Sequence, residues 1–188
     1  VMVAVDSLLN CPTLSHYEGE VRLLADGNSN GFMPGEAAGA MLIGASDGQP
    51  GEMLCTGIGF GFERAHIRSN EPSRADGLTN AIREALGDSG CQADQMDFRI
   101  TDISGEHFYF KEAALASARV LRARKDEFDL WHPAECTGET GAAVGATIIA
   151  NAWAAGRKRY ARGPAVLVHM ANDAGQRAAV CLQQRPLS

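Results

Sequence analysis

Cys136 and Glu139 are the side chains in this sequence whose type and setting could support chemistry. They stand at the start of Thr137–Gly156, TGETGAAVGATIIANAWAAG, a Gly- and Ala-rich stretch with no charge between Glu139 and Arg157. A thiol beside a helix N-terminus has its pKa lowered and becomes a nucleophile; a small buried side chain is the other reading of Cys136. A carboxyl group in an apolar pocket has its pKa raised and can act as a general acid or base. The other reading of Glu139 is a helix N-terminal carboxylate that accepts hydrogen bonds from first-turn amides. Five cysteines, Cys11, Cys55, Cys91, Cys136 and Cys181, are odd in number and form no CxxC pair. Neither a zinc site nor a redox motif is supported, so no metal and no cofactor is expected. His66 and His169 read as structural.

The element that must position Glu139 is the Gly-rich stretch itself. Gly138, Gly141 and Gly145 recur at spacings of three and four, which places them on one side of a helix. Each costs about 1 kcal/mol against Ala in a helix interior, so close approach of a backbone or a ligand is the expected compensation. A tightly packed central helix without chemistry fits the composition equally well. Ile148, Ile149 and Trp153 make it a helix buried on most sides. The apolar run falls short of the roughly 20 residues of a membrane span.

The remaining elements follow from pattern. Val1–Val5 reads as a buried strand and Asp26–Pro34, DGNSNGFMP, as a loop. Gly35–Ala40 with Met41, Leu42 and Ile43 gives a second apolar strand. Asp47–Glu52 is turn-rich and marks a boundary between two halves, residues 1–52 and 53–188. Met53–Arg68 is a strand bent or bulged at Gly57, Gly59 and Gly61. Ser73 is placed to cap a helix, with Asp76 in its first turn, an inward stripe of Leu78, Ala81, Ile82, Ala85 and Leu86, and a stop between Gly87 and Gly90. A strand over Asp97–Ile103 precedes a helix over His107–Lys125, with Phe108, Leu115, Ala118 and Leu121 inward and a basic last turn. Phe128–Trp131 is a brief strand. Ala165–Met170 and Ala178–Leu182 form a closing hairpin around the turn Ala171–Gln176. This alternation predicts an α/β sheet covered on both faces.

The length of 188 residues suits one domain or part of a larger one. A net charge of −6 argues against nucleic acid and anionic membranes as partners. Free cysteines suit a reducing compartment, so a cytoplasmic location is expected. VMVAVDSLL lacks a basic leader region and reads as a strand; a chain that opens inside a strand reads as a fragment.

The motifs resemble those of the β-ketoacyl-acyl-carrier-protein synthases of the thiolase superfamily. Asn30–Ala40, NGFMPGEAAGA, is similar to that family's DGFVxGEGAGxxVL segment, and Thr137–Ala146, TGETGAAVGA, to its TGHxLGAAGA segment. Val5–Leu8 looks like the strand after the nucleophile helix, and Lys111–Leu115 resembles the helix after the HGTGT loop. The resemblance implies a layered α-β-α-β-α fold. Residues 1–52 would be the tail of the N-terminal half, and 53–188 a C-terminal half with a mixed five-stranded sheet and covering helices. It implies acyltransferase chemistry in fatty acid or polyketide biosynthesis. A cysteine thiolate takes the acyl group from a thioester, and two histidines serve the developing enolate. It also implies an acyl carrier protein or acyl thioester as ligand, and a homodimer or a heterodimer with a ketosynthase. The family's nucleophile would lie upstream of Val1. Its two histidine positions fall on Thr101 and Glu139 and its lysine on Ala134, while its closing GFGGTN turn is Asn172–Arg177 here. Gly35, Glu36, Glu112, Thr137 and Gly138 are carried over as pocket and structural residues. His107 and His132 could replace the lost imidazoles from shifted positions. The expectation is a ketosynthase-like protein unable to condense by the Cys-His-His mechanism; a non-catalytic partner subunit and a thioester hydrolase using Glu139 as base are the alternatives.

Overall fold

The computed structural model describes residues 1–187. Its centre is a mixed five-stranded sheet. The strands are β3 (Met53–Phe62), β4 (Phe98–Thr101), β5 (Leu130–Trp131), β6 (Ala165–Ala171) and β7 (Gln176–Gln184), in the order β3-β7-β6-β4-β5. β6 and β7 form the expected antiparallel hairpin, β3 joins β7 antiparallel, and β4 lies parallel to both β5 and β6. Alternate side chains of a strand face opposite ways. Leu167, Ala179 and Cys181 therefore pack against α2 (Asp76–Ser89) and α3 (His107–Val120). Val166, Val168 and Leu182, with Phe98 and Ile100, pack on the other face against Ile148 and Ala152 of α5 (Val144–Arg157).

A second, two-stranded sheet pairs β1 (Met2–Ser7) with β2 (Glu36–Met41) antiparallel. It lies against α5, where a Cβ at Gly39 would meet that of Ala146. The order of layers is thus helix pair, five-stranded sheet, α5, two-stranded sheet. Val3 and Val5, expected to be buried, are 65% and 68% exposed, because no described residue covers the outer face of β1–β2. No helix among the described residues is long and apolar enough to cross a membrane.

The stripe Leu78, Ala81, Ile82, Ala85 and Leu86 is buried as its spacing predicts, and Gly90 ends α2 with φ +67°. Ser73 does not cap it. The Gly77 amide instead donates to Glu63 Oε2 at 2.9 Å, a buried carboxylate just after β3. The glycines of β3 do more than admit the bulge between Cys55 and Gly57. Side chains at Gly57, Gly59 and Gly61 would strike the carbonyl oxygens of Ala85, Ala81 and Gly77, so α2 lies directly on the strand.

α3 is rotated from the expected face. Glu112, Ala113, Ala116 and Val120 are buried, Ala118 is exposed, and the helix stops at Val120 instead of Lys125. The cause is polar: Glu112 must meet Arg177 of β7 (Nε to Oε1, 2.9 Å), an ion pair enclosed on both sides. Lys125 is drawn off the helix line by the carbonyls of Asp94 and Met96. α1 (Cys11–Gly19) was not legible as a helix, since it buries no residue; Asn10 caps it through the Thr13 amide.

The Gly-rich stretch is not one helix. It contains α4 (Ala134–Thr137), a left-handed Gly138 (φ +71°), a 3-10 turn over Gly141–Ala143 and then α5. Of the three glycines only Gly145 lies in an α-helix, and Trp153 is 44% exposed. Gly35 lies against this stretch so closely that a Cβ would overlap the Thr137 carbonyl oxygen. Gly35→Ala is expected to cost at least about 3 kcal/mol of stability. Gly19→Ala, with nothing within 4 Å, should stay within about 1 kcal/mol of the parent. Denaturant midpoints check both.

Candidate functional site

Two loops built around glycine cross to form the floor of a cavity. The Glu139 amide donates to the Met33 carbonyl at 2.7 Å and the Gly35 amide to the Glu139 carbonyl at 2.8 Å. This short parallel bridge needs Gly at both crossing points, because Gly138 has a positive φ and Gly35 touches the opposing backbone. The bridge turns the Glu139 side chain into a cavity of about 500 Å³. The same cavity receives Asp102 and Glu106 from the segment after β4, Asp173 from the β6–β7 turn, and Asp6 from the end of β1. Tyr17, Tyr109 and Arg22 also line it.

Five carboxylates thus face one guanidinium. Arg22 is fully committed. Its Nε and Nη2 donate to Glu106 Oε1 and Oε2 at 2.8 and 2.7 Å, and it also pairs with Asp173. Its cation lies over the rings of Tyr17 and Phe32, 5.2 and 5.8 Å from their centroids. Burial opposes charge on Arg22, but the bonds to Glu106 and Asp173 hold it firmly protonated. Burial likewise works against ionised Asp173, yet the Arg22 and Tyr109 donors keep its carboxyl below the usual range.

Glu139 and Asp102 have no cation of their own. Burial pushes the Glu139 carboxyl up, against hydrogen bonds from Ser104 and the Gly141 amide (3.0 Å), and the charges of Asp173 and Glu106 add to the rise. Both readings of Glu139 therefore coexist: it accepts from the amide of a first turn, and it sits in a desolvated cavity. Asp102 is pushed to about 7, first by enclosure of its carboxylate and then by the charge of Glu139. The Ala171 amide (2.7 Å) and Thr101 Oγ1 (3.2 Å) act in the opposite direction. Asp102 can exchange a proton near neutral pH. The cavity as a whole favours cationic over anionic groups.

The structure separates the sequence candidates. Thr101 is buried on the face of the sheet that carries α2 and α3; its hydroxyl meets His169 Nδ1 at 3.2 Å and Asp102 Oδ1. It does not line the cavity, whereas its neighbour Asp102 does. His169 is buried and lowered to about 3 by burial and by Arg99, so it is neutral. Glu36 is exposed and accepts from Ser7 Oγ at 2.9 Å, bracing β1 on β2. Thr137 is exposed and bonded to its own loop through the Pro133 and Gly138 carbonyls. Glu112 is the buried partner of Arg177, whose Nη1 also donates to the Asn172 and Gln176 carbonyls, so this pair anchors the turn that carries Asp173.

His107 is exposed at the start of α3, and His132 pairs with Glu135 at 3.0 Å and packs on Phe110; neither lines the cavity. His66 accepts from the Arg68 amide through Nδ1. Cys136 is exposed rather than buried, and Ala134 is buried in α4. Sequence reasoning missed Asp102, Glu106, Arg22 and Asp173. Asp102 was one residue from a named position, and the rest carry no local pattern. Among the described residues no group of three or more His, Cys, Asp and Glu side chains is arranged to hold a metal ion.

No protein-family model and no curated protein matches the sequence. Solved structures do. A ketosynthase (ApeO) in complex with its chain length factor (ApeC) from Xenorhabdus doucetiae superposes with TM-score 0.74 at 14% identity, over 90% of this chain and 49% of that one. The ishigamide ketosynthase/chain length factor gives TM-score 0.74 at 15% identity, over 97% and 54%. The oxazolomycin ketosynthase domain OzmH KS7 of Streptomyces albus JA3453 gives 0.76 at 12% identity, over 99% and 41%. The chain has the ketosynthase-like thiolase fold and spans about half the length of these structures.

Because Asp102 holds a proton more tightly in the folded chain, its contribution favours folding below the ordinary carboxyl pKa near 4 and is lost as the pH rises through about 7. Asp102→Asn cannot ionise. It is expected to exceed the parent in stability at pH 8 by on the order of 2 kcal/mol, a figure discounted for the residual solvent contact of the residue, and to converge on it by pH 4. Urea unfolding at both pH values checks this.

Proposed function

We propose that the chain is part of a ketosynthase-like subunit that does not condense acyl groups by the Cys-His-His route and serves as the partner of an active ketosynthase. Residues 1–52 would then be the end of an N-terminal half and 53–188 the C-terminal half, with the rest of the subunit covering Val3 and Val5. The observation that carries this reading is the composition of the cavity. It is lined by Asp6, Asp102, Glu106, Glu139 and Asp173, and neither an imidazole nor a lysine amine lines it. Condensation develops negative charge on an enolate oxygen, which needs donors aimed at it in a dry site. Carboxylates repel that charge, and the single cation is already held by Glu106 and Asp173. Solved neighbours of the fold that pair a ketosynthase with a chain length factor support the partner role. An acyl thioester or acyl carrier protein is the ligand this reading implies, in a cytoplasmic dimer or heterodimer.

Assay of the full-length protein with malonyl carrier protein tests the reading. Decarboxylation by this subunit alone is expected at least about 100-fold below that of an active condensing enzyme, the loss typical of removing one oxyanion donor. Robust turnover that Glu139→Gln abolishes would overturn it. Co-expression with a ketosynthase is expected to yield a stable heterodimer, read by light scattering.

A further inference from the structure

The five-stranded sheet has β3 at one end, and that strand combines two features that invite another chain. It is ten residues long, and one of its faces is apolar and open: Ile58, Phe60 and Phe62 are 44%, 69% and 61% exposed. A long apolar edge strand presents unpaired amides as a template for strand addition. In an antiparallel pair alternate residues bond to the neighbour, and the residues between them point their amides outward. On β3 the outward amides of Ile58 and Phe60 are already taken. Asp88 Oδ2 accepts from Ile58 at 3.0 Å and Glu84 Oε2 accepts from Phe60 at 2.6 Å. Both acceptors come from α2, one helical turn apart, so they match two successive outward amides.

This match depends on the glycines. Because Gly57, Gly59 and Gly61 bring the α2 backbone onto β3, short side chains on the rim of the helix reach around the strand. Glu84 and Asp88 are exposed residues. Among the described residues no ion pair holds either of them, and bonds between ionised carboxylates and amides are stronger than neutral ones. Burial and charge pairing therefore do not account for their placement. We propose that Glu84 and Asp88 are edge guards: they occupy two successive outward amides of β3, those of Ile58 and Phe60, and so prevent a second copy of this chain from adding a strand to the sheet. The inference stands on β3 and α2 alone, independent of any catalytic reading.

Amide exchange by NMR on the intact protein tests the bonds one at a time. Glu84→Ala is expected to speed exchange of the Phe60 amide at least tenfold while leaving Ile58 unchanged, and Asp88→Ala to do the reverse. The double variant is expected to shift toward dimers and larger species in light scattering, at concentrations where the parent does not. Glu18→Ala/Glu71→Ala removes two exposed charges elsewhere and should behave as the parent. Unchanged exchange in the single variants, an unchanged mass distribution in the double variant, or an equal shift in the charge-matched control would each overturn the proposal.

Discussion

The backbone bridge between Met33–Gly35 and Glu139 is the constraint on which the rest of the site depends. It joins segments about a hundred residues apart in the chain, and no side chain takes part in it. Its geometry leaves no space for a Cβ at Gly35 and demands a left-handed residue at Gly138. Once it forms, β2 is aimed along α5 and the Glu139 side chain has one direction to go. The two-stranded sheet, the 3-10 turn and the start of α5 are consequences of that crossing. Asp6 completes it from the other side by accepting from the Ala142 amide at 2.8 Å.

Charge then decides what the cavity can hold. The protein has gathered carboxylates from separate elements around one arginine, and the arginine is saturated. The uncompensated remainder is Glu139 and Asp102: burial raises the proton affinity of both, the charge of Glu139 raises that of Asp102 further, and the charges of Asp173 and Glu106 raise that of Glu139. Ionised carboxylates in such a space repel anionic groups and attract cationic ones.

The fold was legible in the sequence where pattern and packing agree. The α2 stripe and the β6–β7 hairpin follow from periodicity and turn residues, and the mixed five-stranded sheet was implied by the resemblance. The resemblance to condensing enzymes reached the fold through two Gly-rich segments, since glycine spacing records backbone contacts that survive when side chains change. Legibility failed where a distant polar group overrules local pattern. Glu63 displaced Ser73 as the cap of α2, and Arg177 rotated α3 to bury Glu112. It failed at β1 for the opposite reason: a β-branched run predicts burial, yet among the described residues no layer covers it. Glu139 stood out because the resemblance places it at a family histidine position and it heads an apolar stretch; it lines the cavity. Asp102 was missed because strand β4 delivers it rather than Thr101, a shift of one residue that reverses which face a side chain meets.

Arg177 links the interior to the cavity more directly than any residue that lines it. One end of its guanidinium is neutralised inside the hydrophobic layer by Glu112, and the other holds the carbonyls of Asn172 and Gln176, between which Asp173 projects. A change at Glu112, on the hidden side of α3, therefore reaches the cavity wall through this turn although Glu112 does not line the cavity.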